Sequence, residues 1–200
     1  MSELPNIRFV EETGSTNADL AKELQGGNPP KEGDWLVALR QTKGRGRQGR
    51  EWFDGKGNLM ASTVVELGKS SPAPASLSFV TALAVHQAVL GWIGDLGEVR
   101  LKWPNDVLVD GGKISGILLE MVGERVVIGI GVNIASAPVI SGRKTAALGD
   151  YVTECTPEGL LASVATHMQR LLPLWRTQPL TEFFKAFEEF SIHLPGSPVA

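Results

Sequence analysis

Three apolar runs in the middle of the chain constrain the fold most strongly. They span residues 107–109, 113–121 and 125–134. Only Asp110-Gly111-Gly112 separates the first two runs, and only Val122-Gly123-Glu124 separates the last two. Such short turns join antiparallel neighbours, whereas parallel strands need a crossover of a dozen residues or more. The sequence therefore predicts a meander of antiparallel strands.

The rest of the chain alternates between shorter strand patterns and helical patterns. We predict strands at 7–10, 35–39, 59–67 and 99–102, and helices at 16–24 behind Ser15 or Thr16, at 72–92, 158–175 and 180–190. This order predicts one α+β domain with a mixed, largely antiparallel sheet and flanking helices. Polar residues interrupt the most apolar stretch, 77–93, which favours a buried helix over a membrane span.

Composition excludes several classes of protein. The 200 residues are 42% hydrophobic and 20% charged, which is typical of a soluble globular chain and excludes global disorder. A single cysteine, Cys155, excludes an internal disulfide framework and a thiolate metal cage. The first residues lack the basic and apolar regions of a secretory signal, so we expect a cytoplasmic protein.

The charge of the chain is concentrated in one segment. The net charge is −3, yet residues 40–50 hold five cations and no acid: Arg40, Lys43, Arg45, Arg47 and Arg50. A short basic segment on an acidic protein predicts a small anionic ligand rather than a long polyanion. Glycines let a backbone approach phosphate closely, and arginines bind phosphate or carboxylate through two donors. A solvated basic loop is the alternative.

Residues 44–49 match the pattern G-x-G-x-x-G. A dinucleotide-binding motif requires a helix to open there, and no helical period follows. A kinase phosphate loop is excluded because Glu51 stands where that motif has valine. We instead predict that 42–57 is a long loop that is mobile without ligand, because its five glycines and its cluster of cations resist ordering.

Three other features are candidate sites. Trp52 offers a stacking face for a base, or packs in the core. Lys102, Asn105 and Asp106 could bind phosphate and magnesium, or form an ordinary Asx turn. Glycines within apolar strands, Gly116, Gly129 and Gly131, indicate close approach of a ligand or of another backbone, or close helix packing.

Five motifs in fixed order resemble the biotin protein ligase family, the biotin–[acetyl-CoA-carboxylase] ligases. They are Ser15-Thr16-Asn17, residues 41–50 with Trp52, residues 102–106, residues 113–120 and residues 129–133. The resemblance covers about residues 12–134. It implies a catalytic domain like that of class II aminoacyl-tRNA synthetases.

The resemblance also implies a two-step reaction that uses ATP and Mg²⁺. The biotin carboxylate attacks the α-phosphate of ATP and releases pyrophosphate, which leaves the mixed anhydride biotinyl-5′-AMP. A lysine of a biotin carboxyl carrier domain of acetyl-CoA carboxylase then attacks the anhydride, and AMP leaves. Both steps shift charge between phosphate and carboxylate oxygens, so fixed cations and hydrogen-bond donors are required.

Roles follow from the resemblance for individual residues. The biotin-binding residues are Ser15, Thr16, Asn17, Gln41, Arg45, Gly46, Arg47, Lys113 and Gly116. The ATP-binding residues are Arg45, Arg47, Trp52, Lys102, Asn105, Asp106, Lys113 and Asn133. The catalytic residues are Lys113, Arg45 and Arg47, and Asp106 is the candidate ligand of magnesium. The family often has arginine where Gln48 stands here, so that position is not expected to be essential.

Domain boundaries are also implied. We expect the catalytic domain at residues 1–194, and at residues 195–200 the start of an SH3-like barrel that is absent or truncated. The helix-turn-helix domain of bifunctional members has no counterpart before Ser15, so we expect a monofunctional ligase with no DNA partner and no membrane partner. Homodimers are common in the family, and one is expected here.

Three alternatives stay open. A lipoate/octanoate–protein ligase shares the fold and the two-step logic. A nucleic-acid-binding module would use the cluster from Arg40 to Arg50, although it needs a wider basic face with interleaved aromatic residues. A noncatalytic biotin-binding remnant would result if the missing barrel abolishes turnover.

Overall fold

One mixed β-sheet organises the computed structural model, which describes residues 6–192. Its strands are β1 (Ile7–Thr13), β2 (Trp35–Gln41), β3 (Leu59–Glu66), β4 (Val99–Lys102), β5 (Asp106–Val109), β6 (Gly112–Val122) and β7 (Arg125–Val132). Within this range the sheet has seven strands in the order β1-β2-β3-β7-β6-β5-β4. Strands β1 and β2 pair in parallel, and every other neighbouring pair is antiparallel. The predicted fold class and the central meander are confirmed.

The helices divide unequally between the two faces of the sheet. They are α1 (Thr16–Glu23), α2 (Leu77–Ile93), α3 (Pro157–Thr177) and α4 (Leu180–Glu189). Helix α2 packs against α3, α4 and strands β4 to β6, which builds the main core around residues such as Trp175. Helix α1 packs on the opposite face, against β2, β3 and β7. The site described below lies on this second face.

Helix α2 is apolar on nearly all sides because other elements surround it. Within the described range, the segment Pro74–Leu96 is the one helical stretch long and apolar enough to cross a membrane, and most of it is buried inside the fold. That burial is typical of a core helix in a folded domain. The expectation of a buried helix for 77–93 is confirmed.

Some element boundaries differ from the predicted ones. Strand β1 continues to Thr13 because pairing with β2 extends to Gln41. The helix expected from residue 72 begins at Leu77, after a 3₁₀ turn at Pro74–Ser76. Proline disfavours helical geometry in the residue before it, and Ala73 is accordingly not helical. The expected domain boundary and the start of a barrel, at 194 and 195–200, lie outside the described residues.

The parallel pair β1–β2 positions the site. Parallel strands end at the same edge of a sheet, so the segments that follow β1 and β2 emerge side by side. The first segment leads through Ser15 into α1, and the second leads into loop 42–57. Two hydrogen bonds join them, from the Thr42 N–H to the Thr13 carbonyl (2.9 Å) and from the Lys43 N–H to the Gly14 carbonyl (2.8 Å).

Candidate active site

A cavity of about 1140 Å³ opens on the face of the sheet that carries α1. Strand glycines of β6 and β7 form part of its lining. Its other walls are the start of α1, loop 42–57, the adjoining ends of β5 and β6, and a segment that follows β7. A concave site that combines polar and apolar walls is typical of small-molecule binding.

Most of the residues expected to bind ligand line this cavity. They are Ser15, Thr16, Asn17, Gln41, Arg45, Gly46, Arg47, Trp52, Asn105, Asp106, Lys113, Gly116 and Asn133. Lys102 is the exception, since it does not line the cavity. It is exposed on β4, where it pairs in register with Asp106 of β5.

A buried hydrogen-bonded network lies where α1 begins. The side-chain oxygen of Gln41 accepts a hydrogen bond from the Thr16 backbone N–H (2.7 Å) and lies 3.0 Å from the Thr16 hydroxyl. The Thr16 hydroxyl lies 2.6 Å from that of Ser62, which in turn lies 2.6 Å from the side-chain oxygen of Asn17. All four residues are buried. We refer to them as the head network.

The head network holds one proton fewer than its contacts need. Two hydroxyl groups supply two protons, yet three contacts run between the amide oxygens of Gln41 and Asn17, which only accept. One contact therefore joins two acceptors without a proton. Lone pairs left without a donor in a buried site are costly, so a ligand that brings N–H groups would be stabilised here.

Glu120 closes the network on its other side. The Asn17 amide donates to one oxygen of Glu120 at 2.7 Å, and the Arg45 guanidinium lies 3.7 Å from the other oxygen. Sequence reasoning missed both Glu120 and Ser62 as site residues. Glu120 could have been found from the alternation of side chains along β6, which places residue 120 on the same face of the sheet as Gly116.

Loop 42–57 is a small hairpin rather than an extended, structureless loop. The Trp52 N–H donates to the Gly44 carbonyl (3.0 Å), and the Gly46 N–H donates to the Arg50 carbonyl (2.7 Å). The turn between them is one 3₁₀ turn at Arg47–Gly49. No α-helix opens at the glycine motif, which agrees with the exclusion of a dinucleotide-binding loop.

The strand glycines make room for side chains from other elements. A Cβ atom on Gly116 would lie 2.8 Å from the Trp52 ring, and one on Gly131 would overlap that ring. A Cβ atom on Gly129 would overlap the Asn17 amide instead. The glycines thus admit an aromatic ring from the loop and an amide from α1. The contact at Gly129 agrees with the expected close helix packing, whereas the aromatic ring from the loop was not expected. The Trp52 Nε1 is buried with no hydrogen-bond partner among residues 6–192.

Lys113 lies at the centre of the charged part of the cavity. Its ammonium group pairs with the Asp106 carboxylate at 2.6 Å and lies 5.7 Å from the centre of the Trp52 ring. Its backbone is fixed by hydrogen bonds with Lys144 (2.9 Å) and Ala146 (3.0 Å). The amine is therefore held between an acid and an aromatic face.

The Asn133 side chain hydrogen-bonds to the protein backbone, in addition to its expected role near the nucleotide. Its amide donates to the Ala146 carbonyl at 3.1 Å and to the Lys113 carbonyl at 3.4 Å. It thereby ties the segment after β7 to the start of β6. The Asn133 side-chain oxygen is buried and has no hydrogen-bond partner among residues 6–192.

The segment after β7 contributes cavity residues that sequence reasoning missed. They are Pro138, Ile140, Arg143 and Thr145. The segment has no regular hydrophobic period, which is why no element was assigned to it. The adjacent cations Arg143 and Lys144 were the available signal, and Arg143 adds another positive charge to the cavity lining.

The carboxylate side chains of the cavity could hold a magnesium ion only together with phosphate oxygens of a bound nucleotide. No group of three or more His, Cys, Asp or Glu side chains placed to hold a metal occurs among the described residues. Magnesium bound with nucleotides commonly takes one or two carboxylates, with phosphate oxygens and water completing its shell. Asp106, which lines the cavity beside Asn105, fits that role.

Comparison with known proteins identifies the family. Residues 9–133 match the model of the biotin/lipoate A/B protein ligase family, and the chain belongs to that family. A biotin–[acetyl-CoA-carboxylase] ligase of Paracoccus denitrificans is 44% identical over 135 residues, which are 65% of this chain and 55% of that protein. A ligase of the same name from Mycobacterium tuberculosis is 40% identical over 138 residues, which are 66% of this chain and 50% of that protein.

Solved structures support the same grouping. The biotin protein ligase of Aquifex aeolicus in complex with biotin and ATP superimposes with a TM-score of 0.83 at 27% identity. The superposition covers 96% of this chain and 80% of that one. The chain spans about half the length of the two sequence relatives.

Proposed function

We propose that this protein is a biotin–[biotin carboxyl carrier protein] ligase, which activates biotin with ATP and transfers it to a lysine of a carrier domain. The observation that carries the proposal is one cavity that joins a buried polar head to a cluster of cations. Membership of the biotin/lipoate ligase family and the relatives named above support the same activity.

The head network is the proposed site of the biotin ring. Its oxygens can accept the N–H groups of a ureido ring, which would relieve the missing proton described above. Thr16 and Asn17 face this ring in the proposal, with Ser15, Gln41 and Gly46 beside it. Gly116, which lines the cavity where the Trp52 ring packs on β6, is a further proposed biotin contact.

The cations are the proposed site of the chemical step. The biotin carboxylate and the α-phosphate are both negative and repel at contact distance, so bond formation needs fixed positive charge between them. Lys113 supplies one such charge and is the proposed catalytic residue, together with Arg45 and Arg47. Arg47 already donates a long hydrogen bond (3.4 Å) to the side-chain oxygen of Asn105.

The nucleotide would occupy the part of the cavity beyond Lys113. Trp52 offers a face for adenine, and Asn105, Asp106, Asn133 and Lys102 are proposed phosphate or nucleotide contacts. Magnesium would be held by Asp106 together with the phosphates, and would neutralise phosphate charge there. Lys102 is proposed with the least geometric support, because it lies outside the cavity lining.

The proposed macromolecular partner is the biotin carboxyl carrier domain of acetyl-CoA carboxylase. The names of the two sequence relatives support this choice of carrier. A cytoplasmic location, a homodimer, and the lack of a DNA or membrane partner remain parts of the proposal. An absence of DNA binding would show as no sequence-specific mobility shift at physiological salt.

Lipoate or octanoate ligation is the alternative within the family, because the family description covers both classes. The acyl chain and dithiolane of lipoate offer no N–H groups to the head network, whereas the ureido ring of biotin offers two. The polar head therefore favours biotin. A nucleic-acid-binding function is less favoured, because Arg40 and Arg45 of the cluster at 40–50 already pair with carboxylates of the same chain.

ATP–pyrophosphate exchange tests the proposal most directly. Biotin should drive exchange in the presence of ATP and magnesium, while lipoate and octanoate should not. If lipoate drove exchange as fast as biotin or faster, the assignment of biotin as the substrate would be wrong. Tight biotin binding without any exchange would instead identify the noncatalytic remnant.

A further inference from the structure

We infer that Glu120 is a positioning residue that couples the head network to loop 42–57. One carboxylate oxygen orients Asn17 and the other holds Arg45, so a single side chain joins the two ends of the binding site. The inference rests on the proposed function, because it concerns how the same site recognises biotin. No role was expected for Glu120 from the sequence.

The position of Glu120 supports an indirect role. It follows Gly116 by four residues on β6 and shares its face of the sheet, yet it does not line the cavity. Its side chain is 32% exposed and reaches behind Asn17, at 2.7 Å from the amide nitrogen. Glu120 therefore acts on the ligand through Asn17 rather than by contact.

The charge of Glu120 fixes the orientation of the Asn17 amide. A carboxylate only accepts hydrogen bonds, so the Asn17 nitrogen must face Glu120 and the Asn17 oxygen must face Ser62. Ser62 then donates its one proton to Asn17 across 2.6 Å. Thr16 in turn donates its proton to Ser62, also across 2.6 Å.

This direction of donation determines what the head offers to a ligand. The Thr16 hydroxyl has given its proton to Ser62, so its 3.0 Å contact with the Gln41 oxygen lacks a proton. Lone pairs of Thr16 and Gln41 are then left to accept from a ligand. Glu120 thus selects a ligand that donates N–H groups, although its own carboxylate touches no ligand.

The second oxygen of Glu120 transmits the same constraint to the loop. Arg45 lies 3.7 Å away and is half exposed, so this ion pair alone contributes little stability. The Arg45 backbone also forms an antiparallel β-bridge with that of Glu51 in the hairpin, one residue before Trp52. Any shift of Asn17 on ligand binding therefore reaches the hairpin through one shared carboxylate.

The test compares Glu120→Gln with wild type and with Glu66→Gln. Glu66 pairs with Arg125 at 3.3 Å, away from the cavity, so it controls for the loss of a carboxylate–guanidinium pair. Biotin affinity is measured by calorimetry without ATP, and tryptic cleavage within 45–50 is followed with and without saturating biotin. We expect Glu120→Gln to weaken biotin binding about tenfold, because a hydrogen bond to a neutral amide is weaker than one to a charged group and because the amide can also turn its NH₂ group toward Asn17.

The proteolysis measurement separates coupling from a merely structural role. Biotin should protect the loop in wild type and in Glu66→Gln, while saturating biotin should protect it far less in Glu120→Gln. Unchanged affinity or unchanged protection in Glu120→Gln would overturn the inference. If wild type itself bound no biotin, the proposed function would fail first and the inference with it.

A second variant keeps the inference testable if Glu120→Gln folds poorly. Glu120→Asp retains the charge but shortens the side chain by one methylene group. Its biotin affinity should lie closer to wild type than that of Glu120→Gln, because the charge still orients Asn17. Equal losses in the two variants at equal melting temperature would overturn the role of the charge.

Discussion

The indole ring of Trp52 lies against Gly131 so closely that a Cβ atom at residue 131 would overlap it. The two residues belong to different elements, the loop hairpin and strand β7. A second strand glycine, Gly116, supports the same ring from β6. The position of the hairpin over the cavity therefore depends on the absence of two side chains from the sheet beneath it.

Gly131→Ala should displace Trp52 and with it the hairpin that carries Arg45 and Arg47. Because misplacement of reacting groups by about 1 Å can cost on the order of a hundredfold in rate, we expect a loss of that order in ATP–pyrophosphate exchange. The melting temperature should change little, since residue 131 faces the cavity and not the core. Gly27→Ala is the matched control, because a Cβ atom there meets no atom within 4 Å. A fully active Gly131→Ala variant would contradict the supporting role of the glycines.

Lys113→Ala should slow formation of the acyl-adenylate while leaving the fold intact. Removing one donor aimed at developing charge costs on the order of 10²- to 10³-fold in rate. Pyrophosphate exchange and single-turnover formation of biotinyl-5′-AMP measure the effect. Lys185→Ala, which removes an exposed lysine paired with Glu182, should retain the wild-type rate. Exchange within a few-fold of wild type would remove Lys113 from the catalytic residues.

His86 should make the stability of the protein fall in mild acid. Its ring is buried in α2, lies 3.2 Å from the Val99 carbonyl through Nε2 and stacks near Phe190. Burial lowers the pKa of His86 below its ordinary value of 6.5, with the nearby Arg100 acting in the same direction.

The sign follows from proton binding. Below about pH 6.5 the unfolded chain takes up a proton that the folded state resists, so stability is full above that pH and is lost as the pH falls toward the lowered pKa. Urea midpoints at pH 7.5 and 5.5 should differ more in wild type than in His86→Gln. The effect of one proton cannot exceed about 1.4 kcal/mol per pH unit. His167→Gln is the control, because burial lowers the pKa of His167 as well but its side chain is less buried. Equal pH dependence in wild type and His86→Gln would refute the assignment.

Ligand should order loop 42–57. Its hairpin is closed by few hydrogen bonds, and its neighbouring cations repel one another until an anion lies between them. A crystal without ligand should show high B-factors or missing density near residues 43–53, and a crystal with biotinyl-5′-AMP should show an ordered loop. A closed loop would also exclude water from the reactive anhydride. A well-ordered loop without ligand and without lattice contacts would contradict this expectation.

Local signals explain which parts of the fold were predictable. The turns at Asp110-Gly111 and Gly123-Glu124 join neighbouring strands, so the meander could be predicted directly from the sequence. The parallel pairing of β1 with β2 could not, because it depends on the crossover through α1 and on packing against β3. The start of α2 depends on the backbone restriction that Pro74 imposes on Ala73 and not on the spacing of hydrophobic residues.

Long-range contacts explain which parts of the site were missed. Asn17 and Glu120 are 103 residues apart, and Thr16 and Ser62 are 46 apart, so no local pattern joins them. Residue motifs identified the cavity lining well, because each motif lies where a strand or helix meets the cavity. Lys102 is the one predicted site residue that lies outside the lining, because of its position on β4, and no motif marked the irregular segment that carries Arg143.

Because most helices cover one face of the sheet, neighbouring residues of a strand serve different purposes: one packs in the main core and the next faces the cavity. Along β7, Ile128, Ile130 and Val132 point into the main core, while Gly129 and Gly131 face the cavity. A smaller apolar cluster under α1, which includes Leu20, Leu36 and Val127, also lies on the cavity face. Substitutions of the polar residues that line the cavity leave both apolar clusters in place and therefore remove little of the apolar burial that holds the domain together. A library that varies only those polar residues would sample new acyl substrates among variants that keep both clusters.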